Sequence, residues 1–185
     1  TNSSTLYAIN DQEELDEALD NVGIGADGMK TELHSFPSED DLPDNIFADV
    51  VGYDKVKWLL RRGLTTDDIT NFLLVGPTGS AKTVFLMSIE EHLERAEFTS
   101  GSPTSGPGVL DVMFKRNPKY MLIDELDDMD GETQKVLTQY TETGIVDETK
   151  VGKDRKLKTN TKTFASANNV DSIIEQMQDR FTDLH

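Results

Sequence analysis

The stretch that most restricts this chain's fold is a short apolar run leading into a glycine-rich loop. Asn71-Phe-Leu-Leu-Val75 is bounded by polar residues before it and glycine after it, the pattern of a buried parallel strand. Gly76, Pro77, Thr78, Gly79, Ser80, Ala81, Lys82 and Thr83 follow, and then Val84-Phe-Leu-Met-Ser-Ile-Glu-Glu-His-Leu-Glu-Arg-Ala-Glu97, whose apolar spacing predicts a helix packed on a sheet. Strand, loop and helix in this order form a phosphate cradle. Gly76 and Gly79 let successive backbone N–H groups turn inward, and the new helix adds its unpaired N–H groups and positive dipole end. Lys82 would reach terminal phosphates as a point charge, and the Thr83 hydroxyl would ligate Mg²⁺.

The strict pattern of such loops has glycine where this chain has Ala81. A methyl group is tolerated there if the residue already has helical angles, since glycine is then not geometrically obligatory. A second apolar strand, Tyr120-Met-Leu-Ile-Asp-Glu125, delivers two carboxylates at its carboxyl end, where open α/β sheets bind ligands. Asp124 would hold Mg²⁺ directly or through water, and Glu125 would orient and deprotonate an attacking water. The interval from Lys82 to Asp124 leaves room for a helix, a connection and one further strand.

Composition removes several other classes. The 185 residues contain no cysteine, which excludes a disulfide scaffold, thiolate metal ligation and thiol catalysis. His34, His92 and His185 are too scattered for a metal cluster, and no run approaches the length of a membrane span. The first ten residues lack the basic and apolar regions of a secretory signal, so a cytoplasmic location is expected. The formal net charge of −17 argues against a general polyanion-binding surface, but its distribution is uneven. Residues 1–45 hold 12 acids and one base, a net of −11, and the remaining residues hold 23 acids and 17 bases, a net of −6. Residues 1–45 therefore read as an acidic, partly disordered extension, with a short helix over Asp11–Gly23 and a linker over Gly23–Pro43, before a core of residues 46–185. Aspartates (21) outnumber glutamates (14), as on salt-adapted, halophilic and often archaeal surfaces, although 12 lysines against 6 arginines run the other way.

With both motifs in view, the chain resembles the AAA+ ATPases. Gly76–Thr83 looks like their Walker A, in a form similar to that of minichromosome-maintenance helicases, and Met121–Leu126 looks like their Walker B. Holliday-junction branch-migration motors are similar as well. The resemblance runs from about Phe47 to Phe181 and implies a P-loop α/β/α sandwich of three layers with a parallel central sheet, binding ATP and Mg²⁺. It makes Val50, Val51 and Gly52 candidate base contacts, with packing on the core an equal alternative for the two valines. It places Asn168 beside the γ-phosphate as the water-positioning amide, with Asn169 as the neighbouring alternative. Arg180, within Gln178-Asp-Arg-Phe181, resembles the arginine finger that reaches a neighbour's site, which implies a homo-oligomeric ring; Asp179 departs from the family's small residue there. The family's helical lid would follow this element, and the sequence stops at His185 before reaching it, so the expectation is either a domain without the lid or a truncated one.

Between the Asp-Glu pair and Asn168, Gln134, Val136, Leu137 and Tyr140 predict a helix ending near Gly144. Two extended pieces, 145–150 and 156–163, then flank a turn. Lys150, Lys153, Arg155, Lys156, Lys158 and Lys162 against Asp154 give this segment a local charge of +5. In helicase-like relatives a hairpin here touches the nucleic-acid backbone, so phosphate contact with DNA through Lys150, Lys153, Arg155, Lys156 and Lys158 is the functional reading. A lysine-rich strand paired with acidic neighbours, among them the N-terminal extension, is the structural one. Ser100–Gly108 reads as a flexible connector. The expected function is Mg²⁺-dependent ATP hydrolysis driving a ring-shaped, nucleic-acid motor of helicase or branch-migration type. A remodelling or cofactor-insertion ATPase acting on polypeptide, and a nucleotide-gated scaffold with negligible turnover, are the alternatives.

Overall fold

The computed structural model describes residues 29–150 and 153–185; the helix read over Asp11–Gly23 lies outside them. The core is a five-stranded, wholly parallel sheet. Its strands are β2 (Phe72–Val75), β3 (Ala96–Ser100), β4 (Tyr120–Asp124), β7 (Lys162–Ala167) and β8 (Thr182–Leu184), in the spatial order β3-β4-β7-β2-β8. Alternation along each strand sends residues to opposite faces. Phe72, Leu74, Tyr120, Leu122 and Phe164 pack with Phe85, Leu86 and Ile89 of helix α2 (Lys82–His92) and with Leu60 and Leu64 of α1 (Asp54–Thr65). Leu73, Met121, Ile123, Ala165 and Ala167 face the other way, against α3 (Gly106–Arg116), α4 (Gly131–Thr143) and α5 (Glu175–Gln178). Two apolar layers thus sandwich one sheet, and the α/β/α architecture expected from the sequence is present. β3 and α3 fill the interval between Lys82 and Asp124.

Three element boundaries differ from the sequence reading. The helix expected over 84–97 ends at His92, because Arg95 turns into the left-handed region (φ 58°) and its carbonyl accepts the N–H groups of Lys119 and Tyr120, starting the β3–β4 pairing. The connector expected over Ser100–Gly108 is shortened by α3, which starts at Gly106 with Ser105 as its N-cap and Pro107 in its first turn. The extended piece expected over 156–163 is two strands. β5 (Ile145–Lys150) and β6 (Lys153–Lys158) form an antiparallel pair, and the chain then turns before entering β7. Thr159 makes that turn by donating its N–H to Gly144 and its hydroxyl to Asn117 Oδ1 at 2.8 Å.

Lys162, counted above with the basic hairpin, is consequently a core residue with 0% exposure. Its ammonium donates to the carbonyls of Gly63 (2.8 Å) and Thr66 and lies 3.6 Å from the centre of the Phe36 ring. Burial pulls its pKa down to about 8. Residues 29–45 also pack on this body. β1 (Met29–Thr31) adds in parallel to β6, completing a three-stranded sheet β1-β6-β5. Glu32 accepts the Asn117 amide at 2.9 Å, and His34 and Asn160 exchange two hydrogen bonds, at 2.7 and 2.9 Å. No helix among the described residues is long and apolar enough to cross a membrane.

Candidate nucleotide-binding site

The loop from Gly76 to Ala81 leaves the carboxyl end of β2, and α2 begins at Lys82. Gly79 has φ +86°, which a side chain would strain. Ala81 also lies in the left-handed region, at φ 61° and ψ 9°, so the condition of helical angles that would make its methyl group harmless is not met. The loop closes onto the helix through this left-handed turn, where a methyl group is strained and glycine would not be. Ala81→Gly is therefore expected to raise the unfolding free energy by up to about 1 kcal/mol, read as a higher denaturation midpoint.

Opposite the loop, β4 ends at Asp124, and β7, lying between β2 and β4, ends at Ala167 just before Asn168. A cleft of about 330 Å³ opens between these ends, lined by the loop and by Thr83, Asp124, Glu125, Ser166 and Asn168. The Thr83 hydroxyl donates to Asp124 Oδ2 at 2.8 Å, so a hydroxyl and a carboxylate share one spot. The Lys82 ammonium meets the carbonyls of Gly76 (2.7 Å) and Pro77 (3.0 Å), and Asn168 Oδ1 at 3.2 Å. Asn168 thus faces the lysine, whereas the Asn169 side chain is engaged locally, accepting the Asp171 N–H at 2.9 Å.

A family pattern described as the MCM P-loop domain matches residues 40–183. The chain belongs to that family. It is also 31% identical over 116 residues to the zygotic DNA replication licensing factor mcm6 of Xenopus tropicalis, an alignment taking in 54% of this chain and 14% of that protein. The chain thus spans a small fraction of that relative's length. The Gly76–Thr83 loop and the Asp124–Glu125 pair stand at the carboxyl ends of β2 and β4, which flank β7 in one parallel sheet.

Other predicted residues lie apart from this cleft. An apolar cavity of about 200 Å³ adjoins the loop at Gly76 and Pro77, lined by Tyr53, Val56, Leu74, Phe85 and Leu184. Val50, Val51 and Gly52 do not line it: Val50 is in the core at 3% exposure and Val51 is 92% exposed. Tyr53, one residue further on, takes that place, with its ring edge-on to Phe85 at 6.1 Å. Arg180 pairs with Glu142 of α4 at 2.7 Å and is 35% exposed.

The basic hairpin is partly neutralised from within. Arg155 pairs with Glu148 across the β5–β6 ladder and with Asp111 at 3.4 Å, and its guanidinium lies 4.3 Å over the Phe114 ring. Hydrogen bonding to Glu148 raises its pKa further. Arg155 therefore ties the hairpin to α3, with its charge matched by Glu148 and Asp111. Lys156 lies 3.3 Å from Asp147, and Lys158 is exposed. The side chains of Lys150 and Lys153 lie outside the described set. Of the hairpin's described basic side chains, Lys156 and Lys158 are the exposed ones.

Ser166 and Asp127 were not singled out by the sequence reading. Ser166 Oγ donates to Asp124 and accepts the Glu125 N–H, and Asp127 Oδ2 accepts the Asn168 N–H. A signal for Ser166 existed: it is the one hydroxyl in Phe164-Ala-Ser-Ala167, the apolar strand end that leads into Asn168.

Proposed function

We propose that this domain hydrolyses ATP with Mg²⁺ and, assembled as a homo-oligomeric ring, drives movement on nucleic acid as a helicase-type motor. The observation that carries the reading is the convergence of Thr83, Asp124, Glu125, Lys82 and Asn168 on one cleft at the end of the phosphate-binding loop. The donor set suits a hard cation, since a hydroxyl oxygen and a carboxylate lie 2.8 Å apart at the start of α2. Thr83 and Asp124 would hold Mg²⁺, which when bound supplies neutralising charge for the transferred phosphoryl group. Lys82 adds positive charge at the loop, and the loop's N–H groups and the α2 dipole orient the phosphates. Glu125 takes a proton from the attacking water, which Asn168 orients from the neighbouring strand end.

Tyr53 and its apolar neighbours offer the base a surface beside the loop. Arg180 serves a neighbouring subunit's site once it leaves Glu142, and Lys156 and Lys158, with Lys150 and Lys153, meet phosphate backbone. The relative's name, a DNA replication licensing factor, supports nucleic acid over polypeptide as the substrate. Phosphate release measured with and without single-stranded and duplex DNA tests the reading. Lys82→Ala is expected to lose at least about a hundredfold in rate, and DNA is expected to stimulate the wild type in a salt-sensitive manner. Equal rates for wild type and Lys82→Ala would remove the ATPase reading; stimulation by unfolded polypeptide and not by DNA would replace the motor with a remodeller.

A further inference from the structure

Glu125 occupies a conformation that residues with side chains seldom adopt, φ 56° and ψ 52°. Such geometry persists only where neighbours over-determine it. Here its N–H is accepted by Ser166 Oγ at 3.0 Å, and the same hydroxyl donates its proton to Asp124 Oδ1. Ser166 has 0% exposure and sits between Ala165 and Ala167 on β7, where alanine would satisfy the packing. A buried hydroxyl is costly unless bonded, and both capacities of this one go to the Asp124–Glu125 pair.

The reverse connection starts from the β4 side. Asp127, two residues beyond Glu125, accepts the N–H of Asn168 at 3.1 Å and of Asn169 at 3.4 Å through Oδ2. The strand end that carries Asn168 therefore holds Glu125, and the loop that carries Glu125 holds Asn168. We propose that Ser166 is a positioning residue for hydrolysis, with Asp127 as its counterpart. The two reciprocal bonds fix the separation of Glu125 from Asn168, the two groups that act on one water. The proposal rests on the ATP-hydrolysis reading above and adds to it the device that aligns its base.

The test compares Ser166→Ala and Ser166→Thr with the wild-type chain. Ser166→Ala is expected to lower kcat about tenfold or more through misplacement of the base, with the affinity for ATP measured without Mg²⁺ within about twofold of wild type because the phosphate loop is untouched. Ser166→Thr keeps the hydroxyl and is expected to recover most of the rate. In the nucleotide-free protein, hydrogen exchange at the Glu125 amide is expected to quicken in Ser166→Ala and not in Ser166→Thr. Wild-type kcat in Ser166→Ala, or equal losses in both variants accompanied by a lowered melting midpoint, would overturn the proposal. If the wild type itself fails to hydrolyse ATP, the fault is in the functional reading. The Glu125 amide then decides the positioning claim: quickened exchange in Ser166→Ala upholds it and unchanged exchange overturns it.

Discussion

Glu125→Gln is expected to bind ATP as tightly as the wild type and to turn it over at about a hundredth of the rate or less. Glutamine matches the volume and most of the hydrogen-bonding shape of glutamate but cannot accept a proton from water. The substitution also removes one negative charge from a cleft that already holds Asp124, so the affinity for a polyanion has no electrostatic reason to fall. The backbone at position 125 is held by its N–H bond to Ser166, which a side-chain change leaves in place. Fluorescent-nucleotide binding alongside phosphate release separates the two effects. A variant that binds and still hydrolyses at the wild-type rate would show that another group is the base. One that fails to bind would show that Glu125 serves nucleotide retention.

The parts of this site legible in the sequence are those fixed by local chain chemistry. The phosphate loop declares itself because strand, glycine turn and Lys-Thr must be contiguous, and the Asp124–Glu125 pair because a buried strand must end before charge can follow. Asn168 was reached through family resemblance, and its partner Lys82 is 86 positions away in sequence. What stayed hidden depends on which strands become neighbours. Ser166 is an unremarked serine until β7 inserts between β2 and β4 and brings it beside Asp124. Charge counting misjudged the hairpin for the same reason. Lys162 belongs to the next strand and is swallowed by the core, while Arg155 is matched by Glu148 and Asp111, the latter contributed by α3. The left-handed turn at Ala81 escaped because alanine announces no such geometry.

Gly101→Ala is expected to destabilise the fold by about 2–3 kcal/mol and to reduce ATP hydrolysis together with stability. A β-carbon at Gly101 would stand 2.0 Å from the carbonyl oxygen of Glu125 and 3.3 Å from the Met129 nitrogen. Both are backbone atoms, so no rotamer change relieves the contact. The Gly101 N–H donates to the Asp124 carbonyl at 2.7 Å, which pins the glycine against the strand it would need to leave. If the end of β3 withdraws, that bond is lost. If the Glu125–Leu126 peptide rotates instead, the backbone at Glu125 leaves its left-handed conformation. Either way the backbone that carries the Glu125 carboxylate moves. Gly131→Ala is the matched control, since a β-carbon there meets nothing within 4 Å and the position opens helix α4. It is expected to melt near the wild type and to retain its rate. Chemical denaturation with parallel ATPase assays distinguishes the pair, and a Gly101→Ala protein as stable and active as Gly131→Ala would show that β3 does not confine Glu125.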